Sequence, residues 1–339
     1  MNLYDENGYI DFPSIWKCGC PFMWLFGGRG TGKTFGALKF LIDDNKIKMI
    51  YMRRTARQIE LSCTPRTMPF KAINAACGRF IEPKKEGDFV YFRENDKDIA
   101  FGAALSTFYN LRGVSLEDYD VLFFDEVIPE PMERTRRGEG KALLDAIETI
   151  NRNRELQGRK PLRCIFCGNS DTLDSDILRA FGIIFIIEKM VAGGKEVYIN
   201  RESGHAVFNF YRSPISLKKS DTALYKATKN KAFRDKALLN QFADLRDARD
   251  IKRIPLKECR IVYNIDNELG IYEHKSGIFY YICGVINNGG RTFHMIEQPD
   301  RRSLYHIYTD VLRPAIDAGN VLFDSFQSKS AFENFIFNQ

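Results

Sequence analysis

Residues 27–34 read Gly27-Gly28-Arg29-Gly30-Thr31-Gly32-Lys33-Thr34, a complete match to G-x-x-x-x-G-K-[ST]. No other stretch restricts the fold as strongly, because such a loop works only between a buried strand and the start of a helix. Both are present. Phe22 to Phe26 is a short apolar and aromatic run that reads as a buried strand. Behind the loop, Leu38, Leu41 and Ile42 recur at helical spacing. Glycines let backbone N–H groups turn inward around a phosphate chain without Cβ clashes, and the helix N-terminus adds its positive dipole end. Lys33 is thereby placed for the β- and γ-phosphates of a nucleotide, and the Thr34 hydroxyl for Mg²⁺.

A second stretch completes the chemistry. Val121-Leu122-Phe123-Phe124-Asp125-Glu126 is an apolar run ending in two carboxylates. It reads as a buried parallel strand that delivers acids to its C-terminal edge. In a P-loop ATPase, which binds ATP, Asp125 would hold Mg²⁺ in its second shell and Glu126 would polarise the attacking water. A third strand, Leu162 to Gly168, closes on Asn169-Ser170. A polar residue at that tip, beside the loop strand, is placed to read the γ-phosphate; a simple strand-ending turn is the other reading of Asn169.

Composition excludes several classes. Charge is mildly basic, 50 Lys and Arg against 44 Asp and Glu for a net +6, which permits a nucleic-acid partner without requiring one. Met1-Asn2-Leu3-Tyr4-Asp5-Glu6 has neither a basic region nor an apolar core, so no signal peptide is expected there. The apolar run Phe181 to Ile187 is too short to span a bilayer. Cys18-x-Cys20 and Cys164-x-x-Cys167 lack zinc-spaced partners, and reduced, mostly buried thiols are expected. The histidines at 205, 274, 294 and 306 are scattered and form no ligand set.

Other stretches are less specific. Tyr4, Phe12 and Trp16 are aromatic residues on which an adenine can stack, and the sequence selects none of them. Lys48 to Arg53 reads as a strand running into the pair Arg53-Arg54, for which solvent is the default environment. Phe89 to Phe92 and Ile99 to Phe101 flank a polar turn and read as an inserted hairpin. A helix with Leu143, Ile147 and Ile150 on one face leads into Asn151-Arg152-Asn153-Arg154-Glu155. Ile183 to Ile187 is expected as the last core strand, with a further hairpin over 196–199 and 206–210.

Between Arg212 and Lys236 lie eight basic residues, Arg212, Lys218, Lys219, Lys226, Lys229, Lys231, Arg234 and Lys236, against Asp221 and Asp235. A solvated linker and a contact for a nucleic-acid backbone, centred on Lys226, Lys229 and Lys231, both fit this density. Beyond it, 260–265, 270–274, 278–285 and 292–296 read as successive antiparallel strands. A helix over about 303–318, a strand over 320–323 and a terminal helix follow, an order that suggests an RNase H-like domain.

Taken together, the arginine-bearing loop with Arg29, Tyr51-Met52-Arg53-Arg54, the acid pair, Arg152-Asn153-Arg154-Glu155, Asn240-Gln241-Phe242 and Ile261-Val262-Tyr263-Asn264 resemble the DNA-packaging ATPases of small podophages of the phi-twenty-nine type. The resemblance implies an α/β fold in three parts: an ASCE-type ATPase domain with a mostly parallel sheet, a small basic linker and a vestigial nuclease. On this sequence they fall at 1–205, 206–250 and 251–339. It further implies a homo-oligomeric ring, a pentamer, that pumps double-stranded DNA through a portal protein into a procapsid. A structural RNA joins in some members. Such a protein works in the host cytoplasm and transiently at the portal vertex, without a membrane. Arg152 carries over as an arginine finger acting on a neighbour's ATP. Two rival expectations are a terminase-type motor that also cuts DNA through Asp266 and Asp324, and a nucleotide-switched DNA-binding module without productive hydrolysis.

Overall fold

The computed structural model describes residues 1–44, 47–87, 89–111, 114–129, 138–170, 172–228, 242 and 250–337. Among them, fourteen strands form two sheets, and the chain divides into two compact units, residues 1–181 with 189–243 and residues 182–188 with 244–339.

The first unit holds nine strands: β1 (Phe22–Phe26), β2 (Met49–Arg53), β3 (Glu82–Glu86), β4 (Phe89–Glu94), β5 (Lys97–Ala104), β6 (Val121–Asp125), β7 (Arg163–Gly168), β8 (Val197–Asn200) and β9 (His205–Asn209). Their order is β3-β4-β5-β2-β6-β7-β1-β9-β8. From β5 to β9 every pairing is parallel, and only the outer pairs β3–β4, β4–β5 and β8–β9 are antiparallel. The sequence shows why. Parallel strands covered on both faces read as unbroken apolar runs, and every residue of β6 is buried. Phe123 packs with Leu25, Leu38, Tyr51 and Ile165 on one side of the sheet. Trp24 stacks on Phe166 at 4.1 Å between centroids. Each fully buried phenylalanine contributes about 2 kcal/mol.

The expected hairpin is β4 with β5, and residues 100–104 of β5 also pair with β2, so the hairpin extends the main sheet. One expectation changes. Residues 183–187 are helical, within Ile183–Ala192, rather than a strand. Ile183, Ile184, Ile187 and Met190 are buried, a spacing of one and then three that suits a helix face. A short apolar run by itself cannot separate the two possibilities. The sheet continues through β9, so residues 205–209 belong to it.

The second unit contains β10 (Cys259–Ile265), β11 (Leu269–His274), β12 (Tyr280–Cys283), β13 (Arg291–Phe293) and β14 (Val321–Phe323), ordered β13-β10-β11-β12-β14. β10, β11 and β12 pair antiparallel, whereas β13 lies parallel to β10 and β14 parallel to β12. The expectation of four antiparallel strands therefore fails at the fourth. The outer edge of β12 is occupied by β14, so β13 takes the far edge beside β10, where its direction comes out parallel. Ile265, Ile271, Ile282 and Phe293 pack with Leu304, Leu312 and Phe332 from the helical stretch 298–317 and the last helix, Phe326–Phe337.

Candidate functional site

β1 delivers the chain to Gly27 at the C-terminal edge of the sheet, between β7 and β9. The Gly27 N–H donates to the Gly168 carbonyl at 3.3 Å, tying the loop to the tip of β7. Gly30 and Gly32 have φ of 70° and 92°, in the left-handed region that glycine enters without strain. Gly32 then caps the helix Lys33–Asp43. Lys33 is 7% exposed, and its ammonium donates to the Gly27 and Gly28 carbonyls at 2.7 and 2.8 Å. It also lies 3.5 Å from Thr31 Oγ1 and from Asn169 Oδ1. The structure thus brings Asn169 to the loop lysine.

The acids arrive from β6, two strands away. Thr34 Oγ1 donates to Asp125 Oδ1 at 2.9 Å, and the Tyr51 hydroxyl lies 3.3 Å from Asp125 Oδ2. A hydroxyl and a carboxylate side by side are the hard oxygen donors that suit Mg²⁺, and they fit it as far as the protein contributes ligands. Among the described residues no three His, Cys, Asp or Glu side chains converge as a metal nest. Glu126 has φ of +58°, an uncommon backbone for a glutamate, and its side chain is 43% exposed toward the cleft. Strain of that kind, about 1–3 kcal/mol, tends to sit where a side chain must be aimed. Together the loop, Asp125, Glu126 and Asn169 line a cavity of about 330 Å³.

Arg53, expected in solvent, closes the acid end. It is 15% exposed, with one nitrogen 2.5 Å from Glu126 and another 3.4 Å from Asp125. Burial works against its charge, but Tyr51 and the two acids outweigh it and hold the guanidinium above the ordinary arginine range. Burial, with Asp125 beside it, likewise pushes the Tyr51 phenol up. Arg54 is buried as well and pairs with Glu139 at 2.5 Å, at the start of the helix Glu139–Asn151. The basic pair sits at the end of β2, and β2 adjoins β6. Only the strand order, which the sequence does not show, places Arg53 beside Asp125 and Glu126.

Arg152 is not brought to this cleft. It caps the C-terminus of the helix Glu139–Asn151 with φ of +42° and pairs with Glu117 at 3.5 Å, not with Glu148 or Glu155. Its neighbour Arg154 is buried and donates to the Glu117 and Tyr119 carbonyls at 2.6 and 2.8 Å. Both carbonyls precede β6, so these arginines lie at the N-terminal end of that strand, about 16 Å of strand away from Glu126. Arg154 is structural, while Arg152 is half-exposed.

Lys226 is exposed in the last turn of the helix Ala223–Ala227, and Lys229 and Lys231 lie outside the described residues. Of the aromatic residues weighed for an adenine, Phe12 is buried and Tyr4 donates its hydroxyl to Glu196 at 2.6 Å. Trp16 holds the Arg163 guanidinium over its ring. Tyr9 instead adjoins the loop: a Cβ on Gly32 would lie 3.4 Å from it. All eight cysteines are unbridged, and burial raises the Cys164 and Cys167 thiols.

Asp266 follows β10 and Asp324 follows β14. The order β10-β11-β12-β14 sets them three strand spacings apart, roughly 14 Å, whereas a two-metal nuclease needs ions about 4 Å apart. The two acids do not form a cutting site together. Asp266 is used locally, accepting from the Met295 N–H at 2.9 Å.

No protein-family profile matches the sequence, and no curated protein matches it. Solved structures do. The phi-28 gp11 DNA packaging motor superposes with a TM-score of 0.66 at 18% identity, over 98% of this chain and 99% of that one. The bacteriophage phi-29 viral genome packaging motor assembly superposes at 0.61 and 16% identity, again over 98% and 99%. At such identities the likeness is one of fold: along nearly its whole length, this chain is folded as those packaging-motor proteins are.

Proposed function

We propose that this protein is the ATPase of a phage DNA-packaging motor, driving double-stranded DNA through a portal into a procapsid. The observation that carries the reading is the assembly of Lys33, Thr34, Asp125, Glu126 and Asn169 around one cleft, in a chain whose fold matches packaging-motor proteins end to end. In this reading the unit holding the loop is an ASCE-type ATPase. Lys33 and the loop N–H groups bind the phosphate chain. Thr34 and Asp125 would hold Mg²⁺, which would supply neutralisation of phosphate charge. Glu126 orients the attacking water and takes its proton, while Asn169 donates to the terminal phosphate. Arg152, remote from its own cleft, acts on the nucleotide of the next subunit in a homo-oligomeric ring. A pentamer, and a structural RNA at the portal, follow the motors the sequence resembles. The site of action is then the host cytoplasm, at the portal vertex. Among the described residues no helix is long and apolar enough to cross a membrane.

The second unit is read as an RNase H-like relic used for binding, on the strength of its element order, and 206–250 as a basic linker. Lys226, Lys229 and Lys231 touch the DNA backbone, so binding is insensitive to sequence and weakens steeply with salt. The cutting terminase is disfavoured by the separation of Asp266 from Asp324. The non-hydrolysing switch is disfavoured by Glu126, for which a module that only binds has no use.

Steady-state ATP hydrolysis with no addition, with double-stranded DNA, and with DNA plus portal-bearing procapsids tests the reading. The expected result is stimulation by DNA and a further rise with procapsids, without Mn²⁺-dependent cleavage. Absence of hydrolysis in every arm would leave the binding-module reading standing instead.

A further inference from the structure

Lys219 lies on the chain leaving β9, in the short turn Lys219–Asp221 that follows the helix Pro214–Lys218. Sequence composition places it in the basic segment, facing solvent or nucleic acid. The structure places it on the phosphate loop. Its ammonium donates to the Arg29 carbonyl, and a Cβ on Gly30 would lie 3.1 Å from its Nζ. The amine therefore rests over the crest of the loop, where Gly30 has no side chain to exclude it.

This placement is held from several directions. The Ile215 N–H donates to the Gly8 carbonyl at 3.4 Å, and Lys218 Nζ donates to the Asn7 carbonyl at 3.3 Å. The same N-terminal turn is tied to the loop itself, since the Ile10 N–H donates to the Thr31 carbonyl at 3.1 Å. The lysine is thus presented by a braced element.

Its charge is not matched. Among the described residues no carboxylate pairs with Lys219, and burial lowers its pKa. A partly buried ammonium whose hydrogen-bond acceptor is a neutral carbonyl is poorly compensated, and an anion arriving beside it gains accordingly. Next door, Lys33 also donates to loop carbonyls, those of Gly27 and Gly28. Three consecutive loop carbonyls, at 27, 28 and 29, therefore hold two ammonium groups at one end of the loop. Lys33 lies 3.5 Å from Asn169, just past β7, while Lys219 arrives on the chain leaving β9, and β7 and β9 lie on either side of β1.

We propose that Lys219 is a second phosphate-binding lysine of the nucleotide site, exchanging the Arg29 carbonyl for an oxygen of the terminal phosphate of a nucleoside triphosphate. Lys33, Asn169 and Glu126 bound that phosphate from the β6–β7 side, and Lys219 closes it from the β9 side. The inference rests on the ATPase reading and adds a contact that senses triphosphate against diphosphate.

The test is equilibrium binding of fluorescent AMPPNP and fluorescent ADP, with Mg²⁺, to the full chain and to Lys219→Ala, Lys219→Gln and Lys219→Arg. Glutamine keeps a donor for the Arg29 carbonyl and drops the charge, which separates bracing of the loop from contact with the ligand. Loss of one charge-assisted hydrogen bond predicts that both the Ala and Gln variants bind AMPPNP roughly tenfold or more weakly and ADP within about threefold of the parent. Arginine is expected to retain the preference for AMPPNP, and thermal melting confirms that each variant is folded. Parental AMPPNP affinity in Lys219→Gln, or equal losses for both nucleotides, would overturn the role of Lys219 while leaving the nucleotide site in place. Failure of the parent protein to bind either nucleotide would overturn the ATPase reading, and this inference with it.

Discussion

The Arg53 guanidinium donates to the Glu126 carboxylate at 2.5 Å, and the same side chain reaches Asp125 at 3.4 Å. A guanidinium on one carboxylate oxygen lowers the basicity of the group toward the proton of an attacking water. The cation on β2 thus competes with the chemistry assigned to the acid at the end of β6.

Replacing Arg53 by methionine keeps much of the buried stem and removes that hold. DNA-independent ATPase activity is expected to rise roughly five- to tenfold, the scale of one charge-assisted hydrogen bond, and stimulation by DNA to shrink in proportion. Rates measured with and without DNA decide this. A collapse of both rates would show instead that Arg53 supports the active arrangement.

Glu126→Gln preserves shape and loses the base. Turnover is expected to fall by about 10²–10⁴ with nucleotide affinity intact, whereas Lys33→Ala weakens binding as well. A glutamine variant that hydrolyses ATP at the parental rate under saturating DNA would remove Glu126 from the chemistry.

Arg152 stands at the N-terminal end of β6 and Lys33 beyond the C-terminal end of β1, so within one subunit they do not share a site. If the arginine serves a neighbour, Arg152→Ala and Lys33→Ala are complementary defects. Each alone is inactive, the first losing the roughly 10³–10⁵ that such a group supplies in other NTPases. Mixed rings regain hydrolysis at interfaces that join an intact finger to an intact loop. Mixed rings confirmed by size and mass, yet inert, would end the assignment.

His205 gives the molecule a pH limit unconnected with catalysis. Its Nδ1 accepts from Trp24 Nε1 at 3.2 Å, and its ring packs against Phe22 and Phe181, so burial lowers its pKa from 6.5. Above that pH, folded and unfolded chains are both neutral at this residue and its contribution is complete. As pH falls below 6.5 toward the depressed folded value, the unfolded chain takes up the proton first and stability is lost, the loss levelling off once the folded residue titrates as well. Melting temperatures followed from about pH 7.5 to about pH 5.5 are expected to drop more for the parent than for His205→Gln, which keeps an acceptor without titrating in that range. Parallel curves for the two proteins would exclude His205.

What was legible in the sequence was whatever one local stretch encodes. The phosphate loop, the buried strand ending in Asp125 and Glu126, and the strand ending at Asn169 each announce themselves by composition and spacing, and the fold brings all three to one edge. What was not legible depends on strand order. Arg53 looks like a surface cation until β2 is known to lie beside β6, and Lys219 looks like one more base in a basic run until β9 is known to lie beside β1. The separation of Asp266 from Asp324 is likewise a matter of which strands intervene. Residues 183–187 were misread for a different reason: five apolar residues satisfy a strand and one face of a helix equally well.

The sheet of the first unit ends on one side at β3, whose sequence is Glu82-Pro83-Lys84-Lys85-Glu86. Proline withholds a donor, and four charged residues out of five make another strand an unwelcome neighbour. The opposite margin, β8, is only four residues long. If copies of the chain form the proposed ring, these two margins have little backbone to offer a neighbour, and contacts there would run through side chains. Contacts of that kind can be made and broken repeatedly, whereas strands zipped edge to edge would weld the copies into a single rigid object.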